Sequence, residues 1–134
     1  MTAIIIGITV ALLQIIAFEI LKQFNKNYIY ALTLAGIGFL YVGYTWTDTA
    51  TVIVTSIQAI VFVLIAYYGL TKNTYILAVG YFLHGLWDIL YIFWFDAALL
   101  PPHYDWFCSS LDFVVGIYLV LKVLRQKEFN PTTI

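Results

Sequence analysis

A histidine and two aspartates lie inside stretches of sequence that are otherwise almost entirely apolar. His84 and Asp88 are four residues apart, so a helix would present both on one face. Asp112 lies in the next apolar stretch, which would run back in the opposite direction. Two carboxyl groups in a medium of low dielectric cannot both ionise cheaply, so at least one is expected to keep its proton, or the pair to share a cation or a protonated imidazole. This combination is typical of an acid–base site.

The two aspartates are predicted to lie at the same depth. Asp88 precedes Phe95 by seven residues and Asp112 follows Trp106 by six, which places them about 10 Å and about 9 Å along their helices at 1.5 Å per residue. His84 lies one turn deeper, at about 16 Å. We therefore expect the two carboxyl groups and the imidazole to converge between two antiparallel helices.

Further side chains share these two helix faces at helical spacing. They are Gly80, Trp87 and Tyr91 with His84 and Asp88 on one helix, and Asp105, Cys108, Ser109 and Gly116 with Asp112 on the other. In a common pocket, Trp87 and Tyr91 would line the apolar wall and stabilise positive charge, while Gly80, Cys108 and Ser109 would complete the binding surface. Cys108 is expected to be unreactive, since apolar walls and carboxylates disfavour its thiolate.

The elements that position these residues follow from the composition. Of 134 residues, 63% are hydrophobic and 10% charged, with mean hydropathy +0.96, whereas soluble domains carry about 25% charged residues. Apolar residues form five runs of membrane-spanning length, at 3–21, 28–46, 51–70, 75–95 and 106–124. We therefore predict an all-α polytopic membrane protein with five transmembrane helices in one domain, residues 1–134. A net charge of −1 without a basic run excludes nucleic acid as a partner.

Charge placement predicts the orientation. All six basic residues fall at one side of the five runs, and Asp48, Asp96 and Asp105 fall at the other. The positive-inside rule then places the amino terminus outside and the carboxyl terminus in the cytoplasm. Near the inner boundary, Glu19 is expected to pair with Lys22, one turn away.

Two further expectations concern the chain as a whole. Residues 128–134 are predicted to form a loose polar tail, with Asn130 and Pro131 ending helix five. Residues 3–46 and 51–95 show a weak internal similarity that suggests a duplication, with Gln14 and Gln58 at corresponding places. These glutamines are more typical of hydrogen bonds between helices than of ligand binding.

Several cofactors do not fit the sequence. Retinal needs a lysine buried in a helix, but the helical candidates Lys22 and Lys122 lie at the cytoplasmic ends. Only His84 and His103 are available as histidine ligands, so a zinc site with several histidines or a bis-histidine haem is excluded. We expect no cofactor and no metal, with a triad of His84, Asp88 and Asp112 as the remaining metal alternative.

Short motifs carry a resemblance to a known family. The segment Ala66-Tyr67-Tyr68-Gly69-Leu70, the segment Leu83 to Leu90, and Cys108-x-x-x-Asp112 resemble an A-Y-x-G-L, L-H-x-x-W-D-I-L-H-H and C-x-x-x-D pattern. This pattern is that of a family of uncharacterised small bacterial integral membrane proteins, and the similarity covers roughly residues 31–120. The resemblance implies a multi-pass protein of the bacterial cytoplasmic membrane without a known function. Tyr91-Ile92 replaces the final histidine pair, which weakens a metal site further.

The residues favour one function and leave two alternatives. The first is a membrane enzyme that transfers a proton to a lipophilic small molecule such as an isoprenoid, steroid or lipid. Asp112 or Asp88 would be its general acid, and His84 would orient that acid and return the proton. This arrangement, a histidine–carboxylate pair on one helix and a carboxylate on another, is similar to that of sterol isomerases. The alternatives are a proton- or cation-coupled transporter, which would need a homo-oligomer because five helices are few, and a non-catalytic accessory or ligand-binding subunit. Polar side chains that only hydrogen-bond between helices would explain the same residues without any activity.

Overall fold

The computed structural model describes residues 1–21 and 25–129, and this part of the chain contains five long helices. They are α1 (Thr2–Ile20), α2 (Lys26–Thr45), α3 (Thr49–Thr71), α4 (Thr74–Trp94) and α5 (Tyr104–Phe129), with a short 3-10 turn at Ala97–Leu99. All five are long and apolar enough to cross a membrane. The predicted all-helical architecture with five candidate spans is therefore confirmed, with boundaries that agree to within a few residues.

The carboxyl-terminal end of α5 differs from the prediction. The loose tail was expected to begin at Glu128, but α5 continues through Phe129. Because Arg125, Gln126, Lys127 and Glu128 all have high helix propensity, a polar sequence is no reason for the helix to stop at the end of its apolar run. The expected termination at Asn130 and Pro131 lies outside the described residues.

Asparagine side chains cap the starts of α2 and α4. The side chains of Asn25 and Asn73 accept hydrogen bonds from the backbone N–H groups of Asn27 and Tyr75, at 3.2 and 3.0 Å. Such caps satisfy donors that the first helical turn leaves free. Only residues 46–48 connect α2 to α3 and only residues 72–73 connect α3 to α4, so each of these helices packs antiparallel to the one before it.

Helix α4 lies at the centre of the bundle and contacts α2, α3 and α5, while α1 packs mainly on α5. The approach of α5 is close at Gly85, where an added Cβ would lie 3.3 Å from the Ser109 carbonyl oxygen and 3.4 Å from Cβ of Asp112. A small residue here lets the two backbones come together. Gly85 thereby brings Asp112 against the α4 face that carries His84 and Asp88.

The outer surface of the bundle is far more apolar than that of a soluble protein, and a few ionisable groups are buried within the largely apolar core. Large apolar side chains such as Leu32 and Phe93 are exposed on the outer surface, by 75% and 73%. In contrast, His84, Asp88 and Asp112 are fully buried. An apolar exterior around a polar centre suits a hydrocarbon surrounding, in which the polar groups must find partners inside the protein.

Candidate functional site

Helices α4 and α5 bring four ionisable side chains together at the centre of the bundle. Nδ1 of His84 lies 2.7 Å from Oδ2 of Asp112 and 3.4 Å from Oδ2 of Asp88. Sγ of Cys108 lies 3.8 Å from the same oxygen of Asp112. We call His84, Asp88, Cys108 and Asp112 the buried cluster. Matched depth and helical spacing predict this juxtaposition, and the structure shows it.

A tyrosine that the sequence did not single out as a site residue completes the surroundings of the buried cluster. The hydroxyl of Tyr41, from α2, donates a hydrogen bond of 2.5 Å to Oδ1 of Asp88. Tyr41 is fully buried. Residues 34–38 and Tyr41 resemble an upstream A-G-x-G block of the family described above, and Tyr41 has helical spacing from the buried Leu34 and Gly38. Neither signal distinguishes a core tyrosine from a site tyrosine.

Three polar atoms of the buried cluster remain without a hydrogen-bond partner among residues 1–21 and 25–129. They are Nε2 of His84, Oδ2 of Asp88 and Oδ1 of Asp112. Buried polar groups in proteins are almost always satisfied, and exceptions call for an explanation. A tight contact at one imidazole nitrogen, with the other nitrogen unpaired, is the arrangement expected where a histidine exchanges a proton with a ligand.

The predicted aromatic residues lie beside the buried cluster. Trp87 and Tyr91 pack on Tyr41, with ring centroids 6.0 and 5.1 Å away. The hydroxyl of Tyr91 donates to the backbone oxygen of Asp96 at 3.4 Å, so this group is directed to the loop rather than to the carboxyl groups. The two rings thus form an apolar wall. Of the two polar groups that these rings carry, the hydroxyl of Tyr91 is paired, and the indole N–H of Trp87 is unpaired within the described ranges.

The remaining predicted residues contribute in different ways. Ser109 is buried at the α4–α5 contact through its backbone, next to Gly85. Gly80 instead faces α2 and α3, because an added Cβ would meet Leu34 and Ile65 at 2.6 Å each. Gly80 therefore shapes the packing of three helices one turn from His84 and does not face Asp112.

A second ionic group lies near one end of the bundle. Glu19 of α1 accepts hydrogen bonds from Lys26 of α2 and Tyr118 of α5, and we call these three residues the Glu19 cluster. The side chains of Glu19 and Lys26 are 38% and 30% exposed. The expected partner of Glu19, Lys22, lies outside the described residues.

The buried cluster also carries a donor set that metals use. One ligand atom from each of its four residues lies within 4.8 Å of the others, and imidazole, thiolate and carboxylate together suit Zn²⁺. Two ligands at about 2.0 Å from a tetrahedral zinc would lie about 3.3 Å apart, whereas His84 and Asp112 are at the hydrogen-bonding distance of 2.7 Å. The His84–Asp112 contact is therefore that of a shared proton, whereas the 3.4 Å between Nδ1 of His84 and Oδ2 of Asp88 is close to the separation of two zinc ligands.

A groove runs between α3 and α4 on the outside of the bundle, and we call it the α3/α4 groove. Its volume is about 400 Å³ and its walls are mainly aliphatic. Gln58 and Phe62 are its most buried lining residues and, with Trp87, form its floor. The ring of Phe62 lies 4.8 Å from the imidazole of His84. One side chain therefore separates the groove from the buried cluster.

Fold and site together define a small five-helix protein with an apolar exterior and an ionisable centre. The chain belongs to a family of unknown function, DUF6010, whose model matches residues 2–124. The expected membership of an uncharacterised family is confirmed. No curated protein and no solved structure matches the chain. The function must therefore be argued from the site itself.

Proposed function

We propose that this protein is a membrane-embedded enzyme that moves a proton on a lipophilic small molecule. The observation that carries the proposal is the contact between Nδ1 of His84 and Asp112, which leaves Nε2 of the same ring unpaired in the described structure. Ionisable groups at this depth are expensive and are retained mainly where they have a function. Histidine is the side chain best suited to give and take a proton near neutral pH.

The imidazole and the two carboxyl groups of the buried cluster have distinct roles in this proposal. Asp112 orients the imidazole and stabilises its protonated form, and His84 exchanges the proton through Nε2. Asp88, held by Tyr41, supplies a second carboxyl group that balances the charge. The faces of Trp87 and Tyr41 stabilise positive charge that develops on the substrate.

The reaction class that needs only these groups is a double-bond isomerisation. A proton adds to one carbon of the substrate and a proton leaves another carbon, so that one C–H bond forms, one breaks and the double bond shifts. The reaction needs no oxidant or reductant. The α3/α4 groove provides access from the lipid phase, which suits an isoprenoid, steroid or lipid substrate.

The proposal also includes the orientation of the chain in the membrane and its location in the cell. All six basic residues of the sequence lie at one side of the candidate spans, so the amino terminus faces outward and the carboxyl terminus the cytoplasm of a bacterial cell. On a Cys108→Ser background, a cysteine at Asp48 should react with an impermeant reagent in intact cells, and one at Lys72 only after permeabilisation. The opposite labelling would invert the topology.

The enzymatic proposal is tested by isotope exchange. Purified protein in detergent, incubated in D₂O with a bacterial lipid extract, should place carbon-bound deuterium in one lipid class, detected by mass spectrometry. His84→Gln should lower the rate by at least about a hundredfold. The matched control is His103→Gln, because His103 is exposed in a loop and this variant should retain the wild-type rate. Absence of incorporation by the wild-type protein would refute the proposal.

A proton-coupled transporter is the second candidate, and a line of tyrosines favours it. Tyr81, one turn from His84, donates to the backbone oxygen of Tyr30, and the Tyr30 ring lies 5.9 Å from that of Tyr118. Tyr118 in turn donates to Glu19. Proton flux into liposomes that is lost in Tyr118→Phe would support this function over the enzyme.

A further inference from the structure

Two polar side chains in the floor of the α3/α4 groove lack partners. Gln58 is 7% exposed, yet neither Oε1 nor Nε2 of its amide is hydrogen-bonded within residues 1–21 and 25–129. The indole N–H of Trp87, in the same floor, is also unpaired there. In hydrocarbon no water replaces a missing partner, so such groups are costly. An interhelical bond, the ordinary reason for a membrane glutamine, does not explain Gln58.

The depth of these groups limits what a ligand can present to them. Gln58 is the tenth of the 23 residues of α3, and Trp87 is the fourteenth of the 21 residues of α4. Both therefore lie near the middle of helices that are long enough to span a membrane. A charge at this depth is expensive, which excludes phospholipid head groups and fatty-acid anions. The polar part of the ligand must be small and neutral.

The pattern of donors and acceptors selects the chemical group. Gln58 offers the donor Nε2–H and the acceptor Oε1, and Trp87 offers the donor Nε1–H. A hydroxyl group accepts two hydrogen bonds and donates one, so it has the donor and the acceptor sites that these three atoms lack. A ketone or ester has no donor for Oε1, and a hydrocarbon satisfies none of the three.

We propose that the α3/α4 groove binds a neutral lipophilic alcohol, with its hydrocarbon part along the aliphatic walls and its hydroxyl group between Gln58 and Trp87. The inference rests on the proposed function in taking this alcohol as the substrate of the buried cluster. Phe62 is the part of the groove floor next to His84, with its ring 4.8 Å from the imidazole. Rotation of this one side chain brings carbons of the ligand to His84.

Binding is tested with three probes of equal chain length. The protein in detergent is mixed with hexadecan-1-ol, hexadecane or hexadecanoate. Native mass spectrometry then releases the protein from the detergent and measures how much ligand is bound. The alcohol should bind with one-to-one stoichiometry and roughly tenfold or more tighter than the alkane, the ratio expected for a net gain of one or more hydrogen bonds. Hexadecanoate should bind more weakly than the alcohol.

Matched variants separate the hydroxyl contact from general affinity for apolar ligands. Gln58→Leu should weaken binding of the alcohol roughly tenfold and leave hexadecane unchanged. Trp87→Phe keeps an aromatic ring without the N–H and should lower the preference for alcohol over alkane. Gln14→Leu, on α1 away from the groove, is the control and should bind as the wild type does. Equal affinity for alcohol and alkane, or wild-type affinity in both groove variants, would overturn the inference.

The outcomes also separate this inference from the proposed function. Asp112→Asn should bind hexadecan-1-ol normally, because Asp112 does not line the groove. Alcohol binding without deuterium incorporation into any lipid would refute the enzyme and leave the groove assignment standing. Incorporation into a lipid class that lacks a hydroxyl group, with no selective alcohol binding, would refute the groove assignment alone.

Discussion

The buried cluster and the Glu19 cluster use similar chemistry in different surroundings. Each joins a carboxylate to a basic side chain and has a tyrosine hydroxyl bonded to a carboxylate. Glu19 and Lys26 lie near helix ends and are about one-third exposed, whereas His84, Asp88 and Asp112 are fully buried. The Glu19 cluster joins three helices at little cost, while the buried cluster bears a large desolvation cost. Position in the bundle, rather than residue type, therefore distinguishes the buried cluster from the Glu19 cluster and makes it the site of the proposed function.

The largest difference between the two clusters is expected in the reaction rate when a carboxylate of the buried cluster is neutralised. Asp112→Asn keeps volume and hydrogen bonding but cannot stabilise protonated His84, so the rate of deuterium incorporation should fall by at least about a hundredfold. Asp88→Asn should have the same direction of effect. The melting temperature in detergent should stay near the wild-type value, because an amide is cheaper to bury than a carboxylate.

A purely structural role for Asp112 gives a different result. If it only bonds two helices together, Asp112→Asn should be neutral or slightly stabilising and should leave any measured exchange intact. Unchanged exchange together with unchanged stability would contradict the acid–base role and favour an accessory subunit.

Removing the tyrosine hydroxyl that bonds a carboxylate of each cluster should give a smaller but clear difference in stability. Tyr41→Phe leaves a carboxyl oxygen of Asp88 buried without its donor, which should lower the free energy of unfolding by about 1–3 kcal/mol. Tyr118→Phe leaves Glu19 paired with Lys26 and partly exposed, so its cost should be below about 1 kcal/mol. Thermal unfolding of both variants in one detergent measures the contrast. Equal losses would show that burial does not distinguish the two clusters.

Neutralising the Glu19 cluster should have little effect on the reaction. Glu19→Gln keeps its size and loses only a partly exposed ion pair, so the free energy of unfolding should change by about 0.2–1 kcal/mol. Deuterium incorporation should remain within about twofold of the wild-type rate if the chemistry resides in the buried cluster. A loss comparable to that of Asp112→Asn would favour the transporter, in which Glu19 ends the line of tyrosines.

The smallest expected effect is that of metal removal. The hydrogen-bonding distance between His84 and Asp112 predicts that treatment with a strong chelator leaves deuterium incorporation unchanged. Elemental analysis of the purified protein independently measures how much metal is bound. Stoichiometric zinc, with activity lost on chelation and regained with zinc, would reassign the four side chains of the buried cluster as metal ligands.

The helices and the central residues of the site could be predicted because their signals are local. Long apolar runs define the spans, and a spacing of four residues on one helix brings His84 and Asp88 to one face. Asp112 could be placed beside them because it follows Trp106 by six residues, which gives it the same depth as Asp88. The suggested duplication of residues 3–46 and 51–95 stays a prediction, since it concerns ancestry rather than any contact.

Contacts between helices that are distant in sequence could not be predicted. The chain has 11 tyrosines, and nothing local separates Tyr41 from a tyrosine of the core or of the membrane interface. Gly80 shares a helical stripe with His84 but faces Leu34 and Ile65, because three helices divide the surface of α4. Lys26 reaches Glu19 from the start of the next helix, which the one-turn rule does not anticipate.

The central claim is that Asp112 holds Nδ1 of His84 and leaves Nε2 to exchange a proton with the ligand. Nitrogen-15 magnetic resonance of the labelled imidazoles tests it directly, because the chain has only two histidines and His103→Gln assigns them. The account predicts a protonated, strongly hydrogen-bonded Nδ1 that is altered in Asp112→Asn, and an Nε2 signal that shifts when hexadecan-1-ol binds. The contrary result would be an unprotonated Nδ1 with the proton on Nε2, and nitrogen signals that change neither in Asp112→Asn nor when the alcohol binds.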